Sequence, residues 1–322
     1  MPAQLGLGTA ALGRPGYINL NHAADLGGDY APGAMELRAH SVLDAAFGSG
    51  VRYFDVARSY GRAEEFLASW LDERRIKPGE VVVASKWGYT YTAGWSTTAE
   101  QHEIKDHSLA NFTRQFSETI ELLGRHLSVY QIHSVTAEGR TLDDEALIDA
   151  IARLREKGIR AGLTVSGPGQ DVAIRRSLEL HRDGERVFDS VQATWNLFER
   201  SAEPALSEAH GAGMRVVIKE ALANGRLTNG NRDGDGTLSP PLERIRRIAQ
   251  DRSTTIDMLA MGAALARPWA DIVLSGAATV SQLQSNVAAL DLIYGTEFDD
   301  ELSECSVSSA DYWRTRAGFT WN

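Results

Sequence analysis

An (α/β)8 barrel of the TIM type is the fold class that the sequence predicts, and three observations carry that prediction. Short, mostly apolar runs rich in β-branched residues alternate with longer segments of helical period from near the first residue to about residue 292. The alternation occurs eight times, and no linker or low-complexity segment interrupts it. The 322 residues therefore read as a single domain, 1–322, because one barrel routinely fills about 250 residues and tolerates long loops. A doubly wound dinucleotide-binding sheet needs a Gly-x-Gly-x-x-Gly turn opening a helix. Gly6-Leu7-Gly8-Thr9-Ala10-Ala11 lacks the third glycine and runs into a long polar loop.

Taken in order, each unit supplies a run short enough for a barrel wall and a crossover helix that returns the chain for the next parallel strand. The first pairs a strand at 5–10 with a helix at 35–48, the second 51–55 with 62–76, and the third 81–86 with 108–125. The fourth joins 129–133 to 143–157, where Thr141 or Asp143 can cap the helix start and Gly158 suits a left-handed C-terminal residue. The fifth and sixth pair 159–165 with 170–182 and 190–193 with 203–212. The seventh pairs 215–219 with 240–250 and an extra helix at 254–266, and the eighth pairs 272–274 with 279–292. Long connections at 14–34, 87–107 and 224–239 all follow strands, and that is the face on which such barrels carry their sites. The tail, 311–322, adds Tyr312, Trp313, Phe319 and Trp321 and is expected to dock either on the barrel exterior or as a wall of the pocket.

Composition narrows the function. Hydrophobic residues at 43% and charged residues at 24% are those of a chain with a large core, which excludes disorder as the main state. Thirty-three Lys and Arg against 43 Asp and Glu give a net charge of -10, so nucleic acid and anionic membrane are not expected partners and a small molecule is. Cys305 is the single cysteine, which excludes an internal disulfide and a multi-cysteine zinc site. The opening Met-Pro-Ala-Gln has no cationic segment before an apolar run, and no stretch nears the roughly 20 apolar residues of a membrane span. A cytoplasmic location is expected.

The candidate chemistry lies at strand ends. Asp55, Lys86 and His133 are each predicted to be the last residue of a strand, and Tyr60 lies one short turn beyond Asp55. Converging polar groups from successive strand ends are how barrels assemble catalysis. The set suits proton donation to a carbonyl: Tyr60 as acid, Lys86 as the neighbouring ammonium expected to lower its pKa, Asp55 as the partner of Lys86, and His133 as a hydrogen-bonding orienter. Hydrolysis by a Ser–His–Asp triad is disfavoured because no Gly-x-Ser-x-Gly elbow occurs. No metal site is expected, because the eight histidines include no pair at i and i+2 or i+4. Asn19, Asn21, His22 and Asp25 in the first long loop, with Trp87, Tyr89, Tyr91 and Trp95 in the next, predict a roomy pocket suited to polyols or other hydroxylated ring compounds.

These residues resemble the aldo-keto reductase family over almost the whole chain. Phe54-Asp55-Val56-Ala57 with Tyr60-Gly61 is similar to the family's Asp-Thr-Ala-x-x-Tyr-Gly signature, differing at Val56, and Lys86 and His133 fall where the family places its lysine and histidine. The resemblance implies a barrel that passes hydride between nicotinamide and an aldehyde, ketone or sugar, or the corresponding alcohol. The usual cofactor is NADP(H), with NAD(H) the alternative. It also implies a second reading, a nucleotide-binding regulatory subunit of a partner protein.

The resemblance further implies cofactor contacts. Gln192 resembles the glutamine that holds the nicotinamide carboxamide, and Ser166 the serine of a Gly-x-Ser-Asn segment whose asparagine is Gly167 here. Ala221, Leu222, Gly225 and Leu227 resemble the loop after the seventh strand, although Lys219 and Glu220 stand where many members carry a stacking aromatic followed by a serine. Ser275, Gly276, Ala277, Thr279, Gln282 and Asn286 resemble the adenosine-phosphate loop and the following helix start, where backbone N–H groups can bind an anion. No Lys or Arg lies in that loop, which weakens the case for a 2'-phosphate.

Overall fold

Eight parallel strands close into a barrel in the computed structural model, which describes residues 3–228, 231 and 239–322. The strands are β1 (Gln4–Gly8), β2 (Tyr53–Asp55), β3 (Val82–Trp87), β4 (Leu127–Val135), β5 (Arg160–Val165), β6 (Ser190–Thr194), β7 (Arg215–Lys219) and β8 (Ile272–Ser275). Each pairs with its sequence neighbours, and β1 closes the ring on β8 with Gln4 opposite Ile272 and Leu7 opposite Ser275. The crossovers are α1 (Pro32–Gly48), α2 (Ala63–Glu73), α3 (Leu109–Leu123), α4 (Glu145–Ala152), α5 (Gln170–Glu179), α6 (Glu203–Gly211), and the pair α7 (Pro240–Asp251) and α8 (Ile256–Leu265). After β8 come α9 (Val280–Ala288), α10 (Thr296–Ser303) and α11 (Ser309–Ala317). No described helix is long and apolar enough to cross a membrane.

Two cores hold this arrangement. Inside the ring, Tyr53, Ala84, Val129, Val217, Ile272 and Leu274 fill the barrel in its own small cluster. Gly6 belongs there because a Cβ would lie 2.8 Å from Leu274 Cδ2 and 2.9 Å from Ile272 Cγ2, inside the contact distance of packed atoms. Outside the ring, the apolar faces of the helices pack on the strands in one continuous core.

Local chemistry explains where the elements stop. Asp144, one residue beyond the expected candidates Thr141 and Asp143, caps α4 by accepting from the Leu147 amide at 3.1 Å. Gly158 ends that segment in the left-handed conformation expected of it, at φ 71°. The helical pattern expected over 170–182 ends at Glu179, and the chain turns through a small antiparallel hairpin, His181–Arg182 with Glu185–Arg186. A second hairpin, Tyr89–Tyr91 with Glu103–Lys105, organises the loop after β3. The loop at 224–239 lies largely outside the described residues.

Candidate active site

Three strand ends and one turn bring the expected cluster together. Asp55 is the last residue of β2, as predicted, whereas β3 runs one residue past Lys86 and β4 two past His133. The extra length in β4 contains a register irregularity between Ile132 and Val135, with Ser134 at φ 58°. An irregularity of this kind locally bends a strand and re-aims its side chains. Tyr60 sits on the turn after β2, which fits tightly against the first loop. Gly61 adopts φ +60°, and a Cβ there would lie 2.4 Å from the Gly13 carbonyl oxygen.

The Lys86 ammonium pairs with Asp55 Oδ1 and donates to the Val56 carbonyl at 3.1 Å. Both charged groups are buried, so the pair is stable only while both members are present. Asp55 Oδ2 accepts from Gln192 Nε2 at 2.9 Å and Gln131 Nε2 at 3.2 Å. Gln192 thus lines the expected wall while its amide braces the aspartate. Lys86 Nζ lies 4.7 Å from the centroid of the Tyr60 ring, and Tyr60 Oη is 3.5 Å from His133 Nε2. The guanidinium of Arg14 covers the same ring at 5.2 Å and donates to Glu103 and to the Ser59 carbonyl, each at 2.9 Å.

Electrostatics set the proton inventory. Burial pushes the Tyr60 phenol well above its ordinary value and the Asp55 carboxylate pushes it further, with Arg14 opposing. This differs from the expected lowering by Lys86: desolvation of the phenolate is the largest cause, and the Lys86 ammonium is paired with Asp55. His133 is held well below its ordinary value by burial and then by Lys86 and Lys219, so its ring is neutral. Burial lowers Lys86, and Asp55 opposes that shift.

Tyr60 and His133 open into a cavity of about 890 Å3 that reaches as far as Ser281, Gln282 and Ser285 of α9. Of the expected cofactor residues, Ser166, Gln192, Ala221, Leu222, Gly225, Ser275, Gly276, Ala277, Gln282 and Asn286 line it. Leu227 is instead buried in the core, and Thr279 caps α9 by accepting from the Gln282 amide at 3.2 Å. The loop amides expected to meet phosphate are engaged internally: Ala277 donates to Ser275 Oγ at 3.3 Å and Ala278 to Gln282 Oε1 at 2.9 Å. At this end the wall carries the carboxylates Asp25 and Asp257, the latter accepting from Ser285 Oγ.

The tail proves to be a wall of the pocket: Trp313, Arg316, Phe319 and Trp321 all face the cavity. Arg316 Nε lies 2.9 Å and 3.0 Å from the two oxygens of Glu220, pinning α11 to the end of β7. Asn322 exchanges backbone hydrogen bonds with Tyr17, both at 3.1 Å, and tethers the tail to the first loop. From the first two loops Asn19, Asn21, Asp25 and Tyr89 reach the wall. His22 and Trp87 are buried, and Trp95 turns away to donate to the Tyr30 carbonyl at 2.6 Å. Arg14, Tyr17, Glu103, Arg316 and Asp257 are pocket residues that the sequence reading missed. A charge inside an otherwise apolar strand end, as at Lys219-Glu220, was the one local signal of the missed ion pairs.

The fold and the site define a barrel that presents a phenol and a neutral imidazole, backed by a buried ammonium–carboxylate pair, to one cavity. The chain belongs to the aldo/keto reductase family, whose profile matches residues 4–306. It is 27% identical over 276 residues to the uncharacterized oxidoreductase YqkF of Bacillus subtilis, covering 80% of this chain and 83% of that one. It is 26% identical over 331 residues to pyridoxal 4-dehydrogenase of Microbacterium luteolum, covering 89% and 94%. A solved holo-form aldo-keto reductase from Bacillus halodurans superposes with a TM-score of 0.71 at 21% identity, over 95% of this chain and 93% of that one, and shares the fold.

Proposed function

We propose that the protein is a nicotinamide-dependent oxidoreductase that interconverts a carbonyl and its alcohol on a small hydroxylated or aromatic ring compound. The observation that carries this reading is the convergence of Tyr60 Oη and His133 Nε2, 3.5 Å apart, on the wall of a cavity of about 890 Å3 that also reaches Ser281, Gln282 and Ser285 of α9. A cofactor fits the residues present: Ser166, Gln192 and Lys219 offer polar groups at the reacting end, and Ala221, Leu222 and Gly225 border the middle. The nicotinamide, when bound, supplies or accepts the hydride.

The chain's own groups handle the proton. A carbonyl oxygen placed between Tyr60 and His133 receives a hydrogen bond from each when the Nε2 tautomer is protonated, which polarises the carbon. Burial keeps Tyr60 protonated at neutral pH, ready to donate as charge develops on that oxygen. Lys86, beneath the ring, then faces the phenolate left behind, and Asp55 keeps the ammonium in place. In the reverse direction the same oxygen takes the alcohol proton.

NAD(H) suits the far end better than the NADP(H) expected from family habit. A 2'-phosphate there would approach Asp25 and Asp257 and meet no lysine or arginine from the loop, whereas a free ribose hydroxyl can donate to a carboxylate. Aromatic groups from Tyr17, Tyr89, Trp313 and Trp321 favour a planar or ring substrate, in line with a relative named for pyridoxal. Fluorescence titration with NADH and NADPH, followed by a panel of aromatic aldehydes, sugars and their alcohols, tests the reading. Saturable binding with hydride transfer supports it. Binding without turnover on any member favours the regulatory-subunit alternative, and absence of nucleotide binding overturns both.

A further inference from the structure

Among the described residues, the charged groups at the reacting end of the cavity are matched in pairs, with one exception. Asp55 belongs to Lys86, Glu103 to Arg14 and Glu220 to Arg316. Lys219, the last residue of β7, has no ion-pair partner among the described residues, and its one hydrogen bond there is to Ser166 Oγ at 3.1 Å. Ser166 in turn donates to Ser134 Oγ at 3.2 Å, next to His133 in the chain. Lys219, Ser166, Ser134, His133 and Tyr60 therefore share one wall. A ring that exchanges hydride with a carbon held between Tyr60 and His133 must lie against it. The ammonium also acts on that centre directly, as one of the charges that keep His133 neutral.

Hydride transfer changes the charge next to this residue. In the oxidising direction, which starts once the Tyr60 phenol has given its proton to solvent, the alcohol C–H bond breaks, the hydride with its electron pair goes to the nicotinamide ring, and the hydroxyl proton goes to the Tyr60 phenolate. The substrate is oxidised, the ring is reduced, and the ring loses its positive charge. Resting on the reading of the site as a nicotinamide site, we infer that Lys219 selects the redox state of the cofactor. Its unmatched charge weakens binding of the cationic oxidised ring relative to the neutral reduced ring. By the thermodynamic cycle, the same charge draws bound alcohol and oxidised cofactor toward carbonyl and reduced cofactor. The residue thereby biases the bound equilibrium toward alcohol oxidation.

The groups facing Lys219 are Asp55 from β2, Lys86 from β3, His133 from β4, Glu220 beside it and Arg316 from α11. Burial brings its ammonium down to about 8, with Glu220 opposing and Arg316 and Lys86 assisting. The bias is accordingly present at pH 7 and declines as pH rises through that value.

The test is equilibrium binding of NAD+ and NADH, without substrate, to the intact protein and to Lys219→Met and Lys219→Arg variants. The wild type is expected to favour NADH, and Lys219→Met to shrink the ratio of the two dissociation constants by about tenfold, the scale of two unit charges several Å apart in a partly buried site. Lys219→Arg, which stays charged, is expected to keep the ratio at pH 7 and to abolish its decline above pH 8. Equal loss of affinity for both forms in Lys219→Met overturns the inference and leaves the site reading intact. So does a wild-type ratio that ignores pH between 7 and 9. A wild type that binds neither nucleotide overturns the site reading, and this inference with it.

Discussion

The floor of the cavity and its outer wall are built by different means. Asp55, Lys86 and His133 are carried by adjacent parallel strands, so their spacing follows from backbone hydrogen bonds such as the register of Asp55 with Ala84 and Lys86 with Gln131. The outer wall has no such ladder. Trp313 and Arg316 reach it because Glu220 holds α11, and Trp321 because Asn322 is tied to Tyr17. The spacing of the floor residues comes from the sheet, while the shape of the outer wall depends on a few ionic and polar tethers. The two regions should fail differently when perturbed.

Tyr60→Phe tests the floor most severely. It keeps the ring and removes the donor, so turnover should fall about 100- to 10,000-fold while the dissociation constant for cofactor stays nearly unchanged, measured by steady-state kinetics and fluorescence titration. Preserved turnover would move the acid elsewhere. Lys86→Met should destabilise the fold by about 3–5 kcal/mol in denaturant unfolding, because it leaves Asp55 buried and uncompensated. The double variant with Asp55→Asn should recover part of that loss.

Glu220→Gln tests the outer wall. With Arg316 losing its charge partner, a cost of about 1–3 kcal/mol is expected, and KM for substrate should rise more than kcat falls, since α11 shapes the pocket without touching Tyr60. The carboxyl is held down to about 2 because Arg316 and Lys219 overcome the effect of burial, so its stabilising contribution is present above its ordinary value near 4.5. Thermal unfolding of the wild type should lose that contribution as pH falls from about 4.5 toward 2, and Glu220→Gln should lack it. The smallest effect expected is at the far end. Gln282→Arg should strengthen NADPH relative to NADH by about tenfold, read from their dissociation constants, by adding a cation beside Asp25 and Asp257. An unchanged ratio would place the adenosine ribose elsewhere.

Much of the floor was legible in the sequence because its signals are local. An aspartate ending a β-branched run, a tyrosine one turn later, and a lysine and a histidine closing the next runs are patterns within ten residues of one another or repeated at the same point of successive units. The misplacements also have local causes. The run of apolar residues predicts a strand end at His133 because the irregularity that extends β4 leaves no compositional mark, and Thr279, expected in the cofactor loop, caps α9 with its hydroxyl. Gln192 lines the cavity, but its bond to Asp55 spans 137 residues.

The sequence by itself determined the barrel, the placing of Asp55, Tyr60, Lys86 and His133 on one rim and the position of the long loops, because strand period, helix caps and turn chemistry act over a few residues. Only the tertiary structure decided which charges neutralise one another. The Arg14–Glu103 and Glu220–Arg316 pairs join residues 89 and 96 apart, and their mutual choice leaves Lys219 without an ion-pair partner among the described residues. Coulomb interactions depend on distance through space and on burial, quantities that exist only once the ring has closed.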